Sequence, residues 1–218
     1  MTEKLRVWDL PTRAFHWLLV LLFAFSWWSA EEREMDWHRW SGLAVLTLIL
    51  FRLVWGFIGG STARFASFVR SPLRALAYLR GKQVHDSAGH NPIGGYSVLI
   101  MLAVIVLQLL AGLFAVDTDG LESGYLSHLV TFEQGRQAAE MHEFVFKVAM
   151  ILITVHVLAI LFYRFVRRRN LVSPMITGSD AQLDPAGRGL VPAGPVRFVI
   201  AAAIAGGLAW WTSVGLGL

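Results

Sequence analysis

Five stretches of the chain are apolar almost without a break, near residues 14 to 29, 38 to 58, 94 to 116, 141 to 166 and 196 to 217. Each is long enough, or nearly so, to cross a hydrocarbon core of about 30 Å at a rise of about 1.5 Å per residue. The pattern predicts an all-α integral membrane protein with five transmembrane helices, and no internal repeat organises it. The first stretch is the shortest, but Trp17, Trp27 and Trp28 supply interfacial anchors, and Leu10 and Pro11 can begin its helix outside the core. A charged start also precedes the apolar core of a secretion signal. No small-x-small cleavage pattern follows before Glu31, so this stretch is expected to be retained as a helix.

Two polar segments have their own signals. Ser71 as N-cap, Pro72 at the first helical position and Gly81 just past the end bracket a short amphipathic helix, with Leu73, Leu76 and Leu79 set against Arg74 and Arg80. Such a helix suits the membrane surface. From Asn170 to Pro195, Gly178, Pro185, Gly187, Gly189 and Pro192 predict an irregular linker.

Composition agrees with a bilayer. Of 218 residues, 56% are hydrophobic and 16% charged, and the mean hydropathy is +0.55, which does not suit an ordinary soluble domain. A formal charge of +4 and a pI near 9.8 do not point to nucleic acid, because the basic residues sit in short segments between apolar runs. Lys4, Arg6 and Arg13, then Arg64, Arg70, Arg74, Arg80 and Lys82, then Arg164, Arg167, Arg168, Arg169 and Arg188 fall on one side if all five helices cross. The opposite loops carry Glu31, Glu32, Glu34 and Asp36, then Asp117, Asp119, Glu122 and Glu133, with Arg33, Arg39 and Arg136 as their basic members. The positive-inside rule then puts the N-terminus in the cytoplasm and the C-terminus outside. The chain has no cysteine, which excludes disulfides, thiolate-ligated iron–sulfur clusters and thioether-attached haem. Any metal must be held by histidine, carboxylate or methionine.

The histidines are the candidate ligands. His142 and His156 are fourteen residues apart on the fourth span, which at about 100° and about 1.5 Å per residue puts them on one face about 21 Å apart. His16 begins the first helix on the cytoplasmic side, and His38 begins the second on the outer side. Matched depth pairs His16 with His156 and His38 with His142. Two imidazoles from different helices at one depth suit bis-histidine haem, in which both axial positions of the iron are filled and single electrons are exchanged without a substrate at the metal. Zinc is the poorer reading, because its ligands converge within one shell. A lone membrane histidine often serves packing, but four at matched depths favour ligation. His85, His90 and His128 read as solvated, with His90 in reserve for the inner haem.

Arg52 lies fourteen residues after His38 on the second span. An intramembrane arginine costs about 2.5 to 3.5 kcal/mol on insertion scales unless partnered. A haem propionate is a suitable bidentate acceptor, and snorkelling to the inner headgroups is the competing reading. Gly42, one turn after His38, leaves room for a flat macrocycle, or serves plain helix packing. Lys147 points away from the His142 face, with Glu143 as its simplest partner.

Several runs together resemble the bacterial cytochrome b561 family, which includes the membrane cytochrome b subunit of nickel–iron hydrogenases. They are Thr12-Arg13-Ala14-Phe15-His16-Trp17, His38 through Gly42 to Arg52 with Trp55-Gly56-Phe57, Asn91-Pro92-Ile93-Gly94-Gly95, His142-Glu143 with His156, and Leu171-Val172 with Met175-Ile176-Thr177-Gly178. The likeness covers roughly residues 5 to 178. It implies a four-helix transmembrane bundle binding two haem b, with ligands from the first, second and fourth helices. It also implies electron exchange between the quinone pool of the bacterial inner membrane and a periplasmic partner. Residues 1–178 are then the dihaem domain, 179–195 a cytoplasmic linker and 196–218 an additional helix, in which Gly206, Gly207, Gly215 and Gly217 suit contact within a complex or homo-oligomer.

Three functions compete. The first is an electron-transfer subunit between ubiquinone or menaquinone and a periplasmic c-type cytochrome, dehydrogenase or hydrogenase, with Arg13, His90 and Asn91 as candidate quinone contacts. The acidic outer loops would suit a basic partner. The second is a stand-alone quinone oxidoreductase taking electrons from a small periplasmic donor such as superoxide, steered by Arg39 and Arg136. The third, a haem-free scaffold or transporter, predicts colourless protein.

Overall fold

The computed structural model describes residues 4–69, 71–80, 89–184 and 187–217. Arg70, Gly81, Lys82, His85 and Pro185 lie outside the described residues. Among the described residues, five helices are long and apolar enough to cross a membrane: α1 (Leu10–Glu31), α2 (Met35–Ile58), α5 (Pro92–Phe114), α6 (Phe132–Phe165) and α8 (Pro195–Ser213). Three short α-helices among the described residues lie between them in the chain, α3 (Phe65–Phe68), α4 (Pro72–Leu79) and α7 (Val172–Thr177). The strands β1 (Leu5–Arg6) and β2 (Ser179–Asp180) pair antiparallel. Large apolar side chains such as Leu21, Phe57, Ile151, Leu158 and Val199 are exposed, as the lipid-facing side of a spanning helix requires.

The spans agree with the apolar pattern, and the main difference is at the start of α6. This helix begins nine residues before the predicted stretch, at Phe132 rather than 141, because its first turns are polar and fall outside the apolar pattern. Thr131 and Gln134 make a reciprocal capping box: Gln134 N–H donates to the Thr131 hydroxyl at 3.3 Å, and Thr131 N–H donates to the Gln134 side-chain oxygen at 3.0 Å. The predicted surface helix is α4, preceded by Ser71 with Pro72 at its first position.

Contacts divide the chain into two compact units. Unit 1 comprises Met1–Phe15, Arg52–Ile100 and Thr154–Ala201. Here the expected irregular linker is partly ordered, which corrects that reading. Asn170 caps α7 by accepting from Val172 and Ser173 N–H, and Gly178, at φ 86°, closes the helix by donating to the Pro174 oxygen. The same Gly178 oxygen accepts from Val7 and Trp8 N–H, and Leu190 N–H donates to the Arg6 oxygen. These bonds join segments about 170 residues apart in sequence, a pairing that local turn signals do not reveal. Unit 2 comprises His16–Phe51, Met101–Ile153 and Ala202–Leu218. Its core holds Val45, Ile49, Ile105, Val145, Ala149 and Ala205.

Candidate metal centre

In unit 2, His38 on α2 and His142 on α6 face one another, with ring centroids 5.9 Å apart and planes at 88°. Each ring is held from behind by a backbone carbonyl. His38 Nδ1 lies 2.9 Å from the Ser26 oxygen and His142 Nδ1 2.9 Å from the Gln108 oxygen. A carbonyl only accepts, so each Nδ1 carries the proton and each Nε2 keeps its lone pair. This is the arrangement in which a hydrogen bond at one ring nitrogen fixes the other as the ligating atom.

A cavity of about 390 Å³ opens beside the pair, within the usual range of ligand pockets of about 300–1,000 Å³. Its walls include Phe23, Val45, Ile105, Leu109 and Phe146, and Gly42 lies on its border. A Cβ added at Gly42 would meet nothing within 4 Å, so the glycine keeps that wall open. At Gly112 the constraint is the reverse: a Cβ there would stand 2.8 Å from His142 Cε1 and 2.9 Å from Nδ1. Two imidazoles from different helices, each held at Nδ1 so that Nε2 is the nitrogen left to ligate, and an open apolar flank suit a flat metal-bearing group.

The rim of the cavity is charged. Glu31, Asp117, Glu122 and Glu143 line it with Arg39. The Arg39 guanidinium is already shared between Asp36 at 2.5 Å and Glu122 at 3.9 Å. Arg136, the other expected cation, instead donates to the Val116 oxygen at 3.2 Å and pairs with Glu140 at 4.0 Å. Lys147 pairs with Glu143 at 2.7 Å, as the spacing predicts.

Unit 1 holds the remaining candidates on its own scaffold. Arg52 is 3% exposed, so it does not snorkel. Its guanidinium carbon stands 5.0 Å over the Phe65 ring, and its Nη1 makes no hydrogen bond among the described residues. Asp9 is buried nearby. Its Oδ1 accepts from Thr12 N–H at 2.9 Å, capping α1, and its Oδ2 accepts from Trp55 Nε1 at 3.1 Å. His90 lies between Trp8 and Phe68, with centroids 4.7 and 4.8 Å away. Asn91 caps α5 through Oδ1, which accepts from Gly94 N–H at 2.7 Å, while its amide donates to the Tyr163 hydroxyl at 3.1 Å. Arg13 donates to the Ile176 oxygen at the end of α7. Burial and then the neighbouring Tyr163 hydroxyl push the Tyr78 phenol above its ordinary value.

His156 is half-buried on α6 in unit 1, and His16 is half-buried on α1 in unit 2, its ring edge-on to Trp17 at 5.0 Å. Asp9, Gln108 and Gly112 are absent from the sequence-level candidates. Each had a signal: an N-cap residue before Leu10-Pro11, a lone amide in an apolar span, and a glycine one turn beyond it.

The fold defines a multi-pass α-helical membrane protein, in which two imidazoles face one another beside a cavity. The family model for prokaryotic cytochrome b561 matches residues 7–178, and the chain belongs to that family. It is therefore a b-type haem protein of the membrane that works in transmembrane electron transfer. Comparison with curated proteins and with solved structures gave no match.

Proposed function

We propose that the chain carries electrons through two bis-histidine haems between a membrane quinone and a redox protein on the periplasmic side of the inner membrane. The observation that carries this reading is the His38–His142 pair, two imidazoles with ring centroids 5.9 Å apart at a cavity, each held at Nδ1 by a backbone carbonyl. This pair holds the outer haem. His16 and His156 hold the inner one, a pairing that rests on helix arithmetic: His156 follows His142 by fourteen residues on the continuous α6, about 21 Å along its axis. Haem with both axial positions filled supplies one-electron exchange and no substrate position.

The chain's own residues do the rest. Ser26 and Gln108 orient the two outer imidazoles, and Gly42 keeps the cavity open. Arg52, buried and with Nη1 to spare, offers its fork to an inner propionate. Of the three candidate quinone contacts, Asn91 commits its amide to Gly94 N–H and the Tyr163 hydroxyl, whereas the Arg13 Nε makes no hydrogen bond among the described residues and His90 sits among aromatic neighbours, which favours these two. The basic segments put the N-terminus in the cytoplasm and the C-terminus in the periplasm. Residues 1–178 form the dihaem domain, 179–195 a cytoplasmic linker, and α8 an added helix available to a complex or a second copy. The quinone is ubiquinone or menaquinone.

The charge at the cavity rim supports a protein partner. Four carboxylates line the cavity together with one already paired arginine, which attracts a basic surface and repels an anion such as superoxide. Full-length protein in liposomes containing quinol should reduce an added basic c-type cytochrome, at a rate that falls as salt rises. Purified protein without a reduced b-type spectrum would sink the reading. Superoxide-driven quinone reduction lost in Arg39→Gln would install the oxidoreductase alternative.

Gly112→Ala tests the outer site by shape alone. The added methyl overlaps the His142 ring, so the variant is expected to lose the outer haem and keep the inner one. A full haem complement by pyridine haemochrome assay would contradict this.

A further inference from the structure

The surface helix α4 and the turn that ends α6 both belong to unit 1 and share one anchor. The Tyr78 and Tyr163 hydroxyls are hydrogen-bonded, and the Asn91 amide donates to Tyr163 at 3.1 Å. Beyond Phe165 the chain turns back through Arg168, at φ 52°. Arg167 N–H donates to the Phe162 oxygen at 3.2 Å, and Arg169 N–H to the Tyr163 oxygen at 2.9 Å. The guanidinium groups of Arg169 and Arg167 thereby act electrostatically on the Tyr78 phenol. On α4 itself, Leu73 and Leu76 stand about 140° and about 160° round the helix from Tyr78, at about 100° per residue. They are 79% and 42% exposed, so the helix turns its anchored face to the protein and its leucine face away.

Charge then narrows what can cover this surface. The described part of unit 1 holds three carboxylates, Asp9, Asp180 and Asp184. Asp9 and Asp180 are buried, and Asp180 is paired with Arg169 at 3.7 Å. Arg74, Arg80 and Arg167 are exposed and make no ion pair among the described residues. Exposed leucines beside such guanidinium groups match a layer of acyl chains under a layer of negative charge. A soluble acidic protein offers no acyl layer, and a zwitterionic bilayer offers no net charge. We propose that α4 and the turn after α6 form a docking surface for anionic phospholipids, in which Leu73 and Leu76 enter the acyl layer and Arg74, Arg80 and Arg167 pair with headgroup phosphates. Tyr78 holds the helix beside the turn, so that guanidinium groups from α4 and from the end of α6 address one patch of headgroups. This surface acts whatever the electron partners are.

The chain has no cysteine, so Leu73→Cys gives the full-length protein a single thiol for a fluorophore. The labelled protein is placed in vesicles of phosphatidylglycerol and phosphatidylcholine, one of which carries brominated acyl chains that quench on contact. Phosphatidylglycerol is expected to associate about fivefold more strongly than phosphatidylcholine, the factor that one arginine near an anionic surface represents. The preference should fall to parity when Arg74→Gln, Arg80→Gln and Arg167→Gln are combined, and should weaken at high salt. Arg188→Gln, on the segment whose Leu190 N–H donates to the Arg6 oxygen, should keep it. Equal quenching by the two lipids, quenching by neither, or a preference that survives the triple substitution overturns the proposal. Equal loss on Arg188→Gln overturns it as well, by reducing the effect to the general charge of this side of the membrane. Displacement by inorganic phosphate would assign the arginines to a free anion instead of a lipid.

Discussion

Alanine at His38 and alanine at His142 are expected to strip the same haem, leaving each variant with one of the two haems proposed for the parent. The two rings share one cavity, so a haem held there would depend on both imidazoles. His16→Ala and His156→Ala should remove the other haem as a second matched pair. Pyridine haemochrome stoichiometry counts the loss, and low-temperature reduced spectra show which haem went. Transmembrane electron transfer should fall to background in all four, because a relay with one member missing must bridge the whole membrane. Four different spectral phenotypes, or a His38 variant that matches His16 rather than His142, would break the two-level arrangement.

The second large effect is expected far from any ligand, at Asp9. Its carboxylate caps α1 through Thr12 N–H and accepts from Trp55 Nε1, and both Asp9 and Trp55 are buried. Asp9→Ala removes a cap and strands the indole N–H, for a combined cost of about 2 to 4 kcal/mol. It also takes the nearby negative charge from the buried Arg52. Asp9→Asn is the sharper test. Its oxygen can still cap α1, but its amide then presents a donor to the Trp55 donor, so the variant should fall between alanine and the parent. Thermal unfolding of the solubilised protein, followed by tryptophan fluorescence, ranks the three. An asparagine variant as stable as the parent would mean that the Trp55 bond contributes little.

These two sites show unequal legibility in sequence. The spans, the surface helix α4 and the Glu143–Lys147 pair follow from local spacing, and the structure has them. The start of α6 was legible too, in the Thr131–Gln134 capping box, but hydropathy alone passes over polar helical turns. The order in residues 170–184 and 187–190 was not legible, because it is tied to Arg6, Val7 and Trp8 at the other end of the chain. Arg52 divides in the same way. Its position marks a costly charge in a span, whereas its burial over Phe65, rather than at the headgroups, depends on residues brought in from beyond α2.

What the sequence by itself determined is the membrane character, the number of spans, the charge bias between the two sides and the set of histidines. These depend on composition and on residue spacing along single helices, which are one-dimensional quantities. Tertiary structure alone decided which atoms face which. Ser26 and Gln108 hold His38 and His142 by Nδ1, Gly112 yields space to a ring on another helix, and Asp9 joins the start of α1 to Trp55. Hydrogen bonds and close packing between helices depend on rotation and register to within an ångström or so. Hydrophobic periodicity specifies a face and no more.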